Sequence, residues 1–152
     1  MRLPPVVYVA GPFRGPALSS SPVVARDSWV MEGNIRRAEE LALELWAMGA
    51  SVICPHCNTR FFQNHLSDNT WLKGDLAQLR LCAAVVMTVD WRVSAGARAE
   101  WRYAIKRDIP VFYADNLPDF EDWLKGDKRG LKLANKATRA MLKYFGEKKG
   151  KR

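Results

Sequence analysis

Residues 83–89 read Ala-Ala-Val-Val-Met-Thr-Val, an apolar stretch with a single hydroxyl in it. Such a run is too short for a membrane span of about 20 residues and too uniformly apolar for a strand with one wet face. It suits a parallel strand covered on both sides, and parallel neighbours can be joined only by crossover segments. The rest of the chain supplies them. Residues 6–10 form a short apolar strand stopped by Gly11-Pro12, residues 51–54 a second stopped by Pro55, and residues 111–113 a fourth. Between them, Ile35, Ala38, Leu41, Ala42 and Leu45 share a helical face, with Asn34 as the expected cap and Gly49 as the stop. Trp71, Leu72, Leu76 and Leu79 form a second face behind a Ser67 or Asp68 cap, and residues 97–107 a third helix. Residues 13–28, rich in Pro, Ser and Gly, read as a long loop, residues 55–67 as a polar loop, and residues 90–96 as another. The pattern predicts an α/β fold: a Rossmann-like open parallel sheet of about four to five strands flanked by helices.

Length and composition agree with one domain. The chain has 152 residues, 48% hydrophobic and 26% charged, which excludes a multidomain enzyme and a disordered chain. The start, MRLPPVVYVAGP, has prolines inside its apolar stretch and reads as no signal peptide, so a cytoplasmic, non-membrane protein is expected. The net charge of +8 is unevenly placed. Residues 125–152 hold 11 Lys or Arg against 2 acids, and residues 1–124 hold 13 against 14. The expected organisation is therefore an α/β domain over 1–124 and a basic helical C-terminal extension over 125–152, with 148–152 frayed. In that extension Leu131, Ala134, Thr138, Met141, Leu142 and Phe145 lie near one face. Its lysines read as a solvated face, so nucleic acid is not expected as a partner.

Three cysteines fit a reducing compartment rather than a disulfide framework. Cys54-Pro55-His56-Cys57 is a C-x-x-C motif with His65 nearby, but no second pair completes a four-ligand zinc site. No metal is expected. Nor is a thioredoxin-type role, since no helical pattern starts after the motif.

The carboxyl ends of parallel strands are where such sheets bind ligands. Tyr8 lies on the first strand, the Gly11-Pro12-Phe13-Arg14-Gly15 turn follows it, His56 and Asn58 follow the second, and Ser94, Gly96 and Glu100 follow the third. Glu100 is expected in the opening turns of its helix, where the helix dipole would keep it ionised and nucleophilic. Asp75 on the preceding helix offers a second carboxylate, and a carboxylate pair is the minimum equipment for cleaving a glycosidic bond.

The segments V-Y-V-A-G-P-F-R-G, T-W-L-K-G-D-L and S-x-G-x-x-x-E, in this order over residues 6–113, resemble the nucleoside 2-deoxyribosyltransferase family. They are most similar to its branch of 2′-deoxynucleoside 5′-monophosphate N-glycosidases and their small phage and bacterial relatives. The resemblance implies that Glu100 attacks C1′ of the sugar, that Asp75 serves as acid/base, and that the Tyr8 hydroxyl orients Glu100. It implies a nucleotide or nucleoside substrate, no cofactor, and a homo-oligomer, dimer or higher, whose neighbour can complete the site. Ser94 stands where the transferases tend to have aspartate and the monophosphate glycosidases serine. With Arg14 as a fork donor, that favours a phosphorylated substrate. Gly11, Pro12, Phe13, Gly15, His56, Asn58 and Gly96 are the further expected substrate contacts, with Trp91 to stack on a base. Two features depart from the family pattern: Cys82-Ala83-Ala84 lacks the acid many relatives carry after the cysteine, and the loop after Phe13 is long. A non-catalytic nucleotide sensor, or a transferase acting on unphosphorylated nucleosides, are the competing readings.

Overall fold

A computed structural model of the chain describes residues 1–14, 24–62 and 64–146, with the side chains of 24–27 left aside. The expected Gly15 contact and the frayed 148–152 lie outside the described residues. The sheet has four parallel strands, β1 (Val6–Ala10), β2 (Ser51–Ile53), β3 (Ala84–Met87) and β4 (Val111–Tyr113), in the order β2-β1-β3-β4. Tyr8 is opposite Val85 of β3 and Ile53 of β2, and Val86 is opposite Phe112. The fold is α/β and Rossmann-like.

Strand alternation sorts the core into two halves. Val7, Val9, Ala84, Val86 and Phe112 face helix α1 (Val24–Ala47), meeting its Ala38, Leu41, Ala42 and Leu45. Tyr8, Ala10, Val85, Met87 and Tyr113 face the other way, toward Leu79 of α3 (Asp68–Leu79) and Ala97, Trp101 and Ala104 of α4 (Ala95–Lys106). Tyr8 therefore points into the layer that carries both candidate carboxylates, Asp75 on α3 and Glu100 on α4.

Several boundaries differ from expectation. Helix α1 begins at Val24, not after Asn34, so the expected loop is helical over its last five residues. Asn34 is a buried residue within the helix, and its Nδ2 donates to the Phe13 carbonyl at 3.0 Å. An asparagine that tethers a neighbouring loop has the composition of a cap without its position. The polar loop after β2 contains a one-turn helix, α2 (Pro55–Asn58), with Cys54 at its start. Helix α4 starts two residues early, capped by Ser94, whose Oγ accepts from Ala97 N–H at 3.2 Å. Ser67 caps α3 as expected, its Oγ accepting from Thr70 N–H.

Two helices follow the sheet, α5 (Leu117–Leu124) and α6 (Lys128–Tyr144). Helix α6 places Ala134 in one half of the core and Leu142 in the other, so it straddles the edge strand β4 and covers it. The close approach of α6 to α5 needs Gly130: a Cβ there would lie 2.1 Å from the Asp119 carbonyl oxygen and 2.9 Å from Trp123 N. Both obstacles are backbone. Gly130→Ala is expected to destabilise the fold by about 3 kcal/mol, the upper range for overpacking, read as a lowered urea midpoint. An unchanged midpoint would show that the helices part without cost.

Candidate active site

A cavity of about 650 Å³ opens beyond the carboxyl ends of β1, β2 and β3. Its walls come from the segment after β1 (Gly11, Phe13, Arg14), the turn after β2 (Pro55, His56, Thr59), helix α3, and the start of α4. The chain leaves β1 toward β2 on one side and finds β3 on the other, so the cavity sits at the switch point of the sheet, where open α/β folds bind ligands.

Glu100 lies on this wall. Ala97, Glu100, Trp101 and Ala104 form the buried stripe of α4, and the acid takes a position that periodicity would give to an apolar residue. It is 7% exposed. The Tyr8 hydroxyl donates to its Oε1 at 2.5 Å. Tyr8 is itself buried, and burial, followed by the charges of Glu100 and Asp75, holds its hydroxyl well above the ordinary tyrosine range, so it stays a donor.

The expectation that the helix dipole keeps Glu100 ionised is corrected here. Glu100 is the sixth residue of α4, past the first turn where the dipole acts. Burial pushes its carboxyl up to about 8; the Tyr8 hydrogen bond lowers it and the Asp75 charge raises it further. Asp75, half-buried on the same cavity, is pushed up to about 6 by burial. Between these values the two groups hold one proton between them.

His56 is buried beside the β1 loop, its Nε2 2.8 Å from the Pro12 carbonyl oxygen. Burial lowers its pKa despite the nearby Pro12 and Gly11 carbonyls, so the ring is neutral near pH 7 and donates Nε2–H to Pro12. A polar relay holds the loop from its other side. Thr88 Oγ1 donates to Asp90 Oδ1 at 2.7 Å, Arg37 Nε donates to Asp90 Oδ2 at 3.2 Å, Arg37 also reaches Asn34 Oδ1, and Asn34 holds Phe13. At Gly11 a Cβ would stand 2.4 Å from Thr88 Oγ1, so the residue lets the β1 and β3 ends approach.

The structure brings Gly11, Phe13, Arg14, His56, Asp75 and Ser94 to the cavity, together with Gly96 and Glu100. Tyr8 reaches it through Glu100. Pro12 contributes only its carbonyl, to His56. Asn58 ends α2 on the exposed surface, off the cavity lining. Trp91 does not stack over the cavity: it is 1% exposed, packed against Trp101 with ring centres 5.0 Å apart and against Phe145 at 5.9 Å. The three-residue 3₁₀ turn Trp91–Val93 rotates it into the core.

Sequence reasoning missed Asp68, Asn69, Trp71, Leu72 and Thr59 on the wall. Asp68, Trp71, Leu72 and Asp75 fall at helical spacing, so the periodicity that placed Asp75 could have found its neighbours. Arg14 is the one guanidinium or ammonium among the described lining residues, and its Nη2 lies 3.1 Å from Asp68 Oδ1. Cys54 is buried and Cys57 exposed; burial pushes the Cys54 thiol well up, which keeps it protonated and unreactive. Among the described residues no cluster of three or more His, Cys, Asp or Glu is placed to hold a metal ion.

A family model matches residues 5–114, which is β1 through β4 with every cavity wall and stops before α5. The chain belongs to that family, described as Domain of unknown function (DUF7768). No curated protein matches the chain. The DUF7768 portion thus holds the whole candidate site, and helices α5 and α6 lie beyond it. No helix among the described residues is long and apolar enough to cross a membrane.

Proposed function

We propose that this protein cleaves the N-glycosidic bond of a nucleotide, a (deoxy)nucleoside 5′-monophosphate, through a covalent glycosyl-glutamate. The observation that carries the reading is the buried Tyr8–Glu100 hydrogen bond of 2.5 Å with Asp75 on the same cavity. An ionised acid on the apolar stripe of a helix costs several kcal/mol of stability, and groups held at such a cost cluster at functional sites.

In this reading an ionised Glu100 oxygen attacks C1′ and the bond to the base nitrogen breaks. The electron pair leaves with the base, which takes a proton from Asp75. Asp75, now ionised, removes a proton from water, whose oxygen attacks C1′ and frees the Glu100 carboxylate. A second base in place of water makes the same site a transferase. The hydroxyl of Ser94 and the N–H groups of Ala95 and Gly96, which have no partner within the helix, are the donors available to a phosphate. The free thiols of Cys54, Cys57 and Cys82 fit the reducing cytoplasm in which we place it.

One observation favours the second reading, an unphosphorylated nucleoside. Arg14 is already paired with Asp68, and the wall carries Asp68, Asp75 and Glu100 against that single cation. The test is a panel of nucleosides and their 5′-monophosphates, with released base followed by chromatography. Base release from monophosphates, lost in Glu100→Ala, is the expected result. Release from free nucleosides alone selects the second reading, and tight binding of every candidate without release would leave a nucleotide sensor.

A further inference from the structure

Helix α6 has no acidic residue in its 17 positions. Lys128, Lys132, Lys136, Arg139 and Lys143 are all exposed. At about 100° per residue they fall within an arc of about 80°, spread over about 22 Å of helix axis. None of the five forms an ion pair with a described residue. The neighbouring cations differ: Arg129 is tied to Asp127 at 2.6 Å and Lys125 to Glu121 at 2.6 Å. One acid, Asp108, lines a second, smaller cavity together with Arg139. The opposite face of α6 is fixed, with Gly130, Ala134, Thr138 and Leu142 buried and the Thr138 hydroxyl 2.9 Å from Tyr113 OH.

We propose that this outward stripe of α6 is a sequence-independent binding surface for the phosphate backbone of nucleic acid. The geometry supplies the chemistry. Duplex DNA presents one charge per about 3.4 Å of axis on each strand, so a stripe of about 22 Å runs beside about six phosphates. The cations are held in line by a helix whose back is part of the core, so docking them costs side-chain entropy but no folding. A membrane surface fits less well. An interfacial helix must lay a continuous apolar face into the lipid, and that face of α6 packs on both halves of the sheet, leaving only Leu133 and Tyr144 as large apolar side chains exposed on the helix. The stripe lies beyond the matched family region and rests on neither the catalytic reading nor the cavity. The solvated face expected from composition gains a function here because the structure aligns charges that the sequence only counts.

The experiment is fluorescence anisotropy of the full chain with a labelled duplex of about 20 base pairs, in two unrelated sequences, at about 50 and 200 mM salt. Both sequences are expected to bind alike. Five phosphate contacts predict a loss of roughly 500-fold in affinity between the two salt concentrations. Lys132→Glu/Lys136→Glu/Lys143→Glu is expected to weaken binding more than tenfold at the lower salt while melting like the wild type. Should that variant fail to fold, the Lys→Gln triple replaces it, with the same direction expected. No binding at about 50 mM salt, unchanged affinity in a folded variant, or a strong preference for one sequence overturns the proposal. So does capture by vesicles of anionic phospholipid without binding to the duplex, which would assign the stripe to a membrane.

Discussion

Glu100→Gln is expected to abolish base release, by at least about 10⁴-fold, while leaving a folded protein that still binds substrate. The amide keeps the shape of the side chain and an oxygen for the Tyr8 hydroxyl, but it cannot form the glycosyl ester. A covalent nucleophile is an all-or-none component, so the loss falls on kcat. Mass spectrometry of the wild type quenched during turnover should find one pentose, with its phosphate, added to a peptide containing Glu100, and none in the variant. Full turnover in Glu100→Gln would remove the glutamate from the chemistry.

The same substitution has a second signature, in stability. The carboxyl titrates near 8 in the folded protein against an ordinary 4.5, so folding favours its protonated form. That stability is fully present below about pH 4.5 and is lost as pH rises through about 8, at about 1.4 kcal/mol per pH unit in between. The glutamine cannot ionise and escapes this loss. Thermal melts should therefore find the variant close to the wild type near pH 5 and more stable near pH 8. A stability difference between variant and wild type that stays the same from pH 5 to pH 8 would mean that burial does not disfavour the carboxylate.

Where the sequence was informative, it was through the sheet and the order of segments around it. The apolar residues 83–89 and the punctuation at Gly11-Pro12, Pro55 and Gly49 mark where strands and helices stop, and local rules govern those stops. Asn34 and Trp91 misled because their roles depend on partners distant in sequence: Asn34 bonds to Phe13, and Trp91 packs against Trp101 and Phe145. The place of Glu100 at the cavity was legible, yet its protonation was not. That state is set by burial, which the tertiary structure creates, and a helix position alone gives the opposite sign. Helix α5 was missed because Leu117–Leu124 is short and starts at a Pro-containing turn, while the α6 face was visible from its period.

Asp75→Asn is expected to lower kcat by about 10² to 10⁴-fold, the span of general acid–base catalysis, and to reshape the pH profile. In the wild type the productive form has Glu100 ionised and Asp75 protonated, although Glu100 holds its proton more tightly, at about 8 against about 6. That form is therefore the minor one of the two singly protonated states near pH 7. Activity rises with pH toward 6, crosses a maximum near 7 and falls above about 8, the two limbs belonging to the pair. In Asp75→Asn one titration is gone, so the falling limb disappears. The remaining rise moves below 8, because the Asp75 charge no longer pushes the Glu100 carboxyl up. Substrates whose base departs without a proton should be spared most of the loss, which separates proton delivery from mere positioning. A variant that keeps a two-limbed profile, or that loses the same factor on every leaving group, would assign the proton to another residue on the cavity wall.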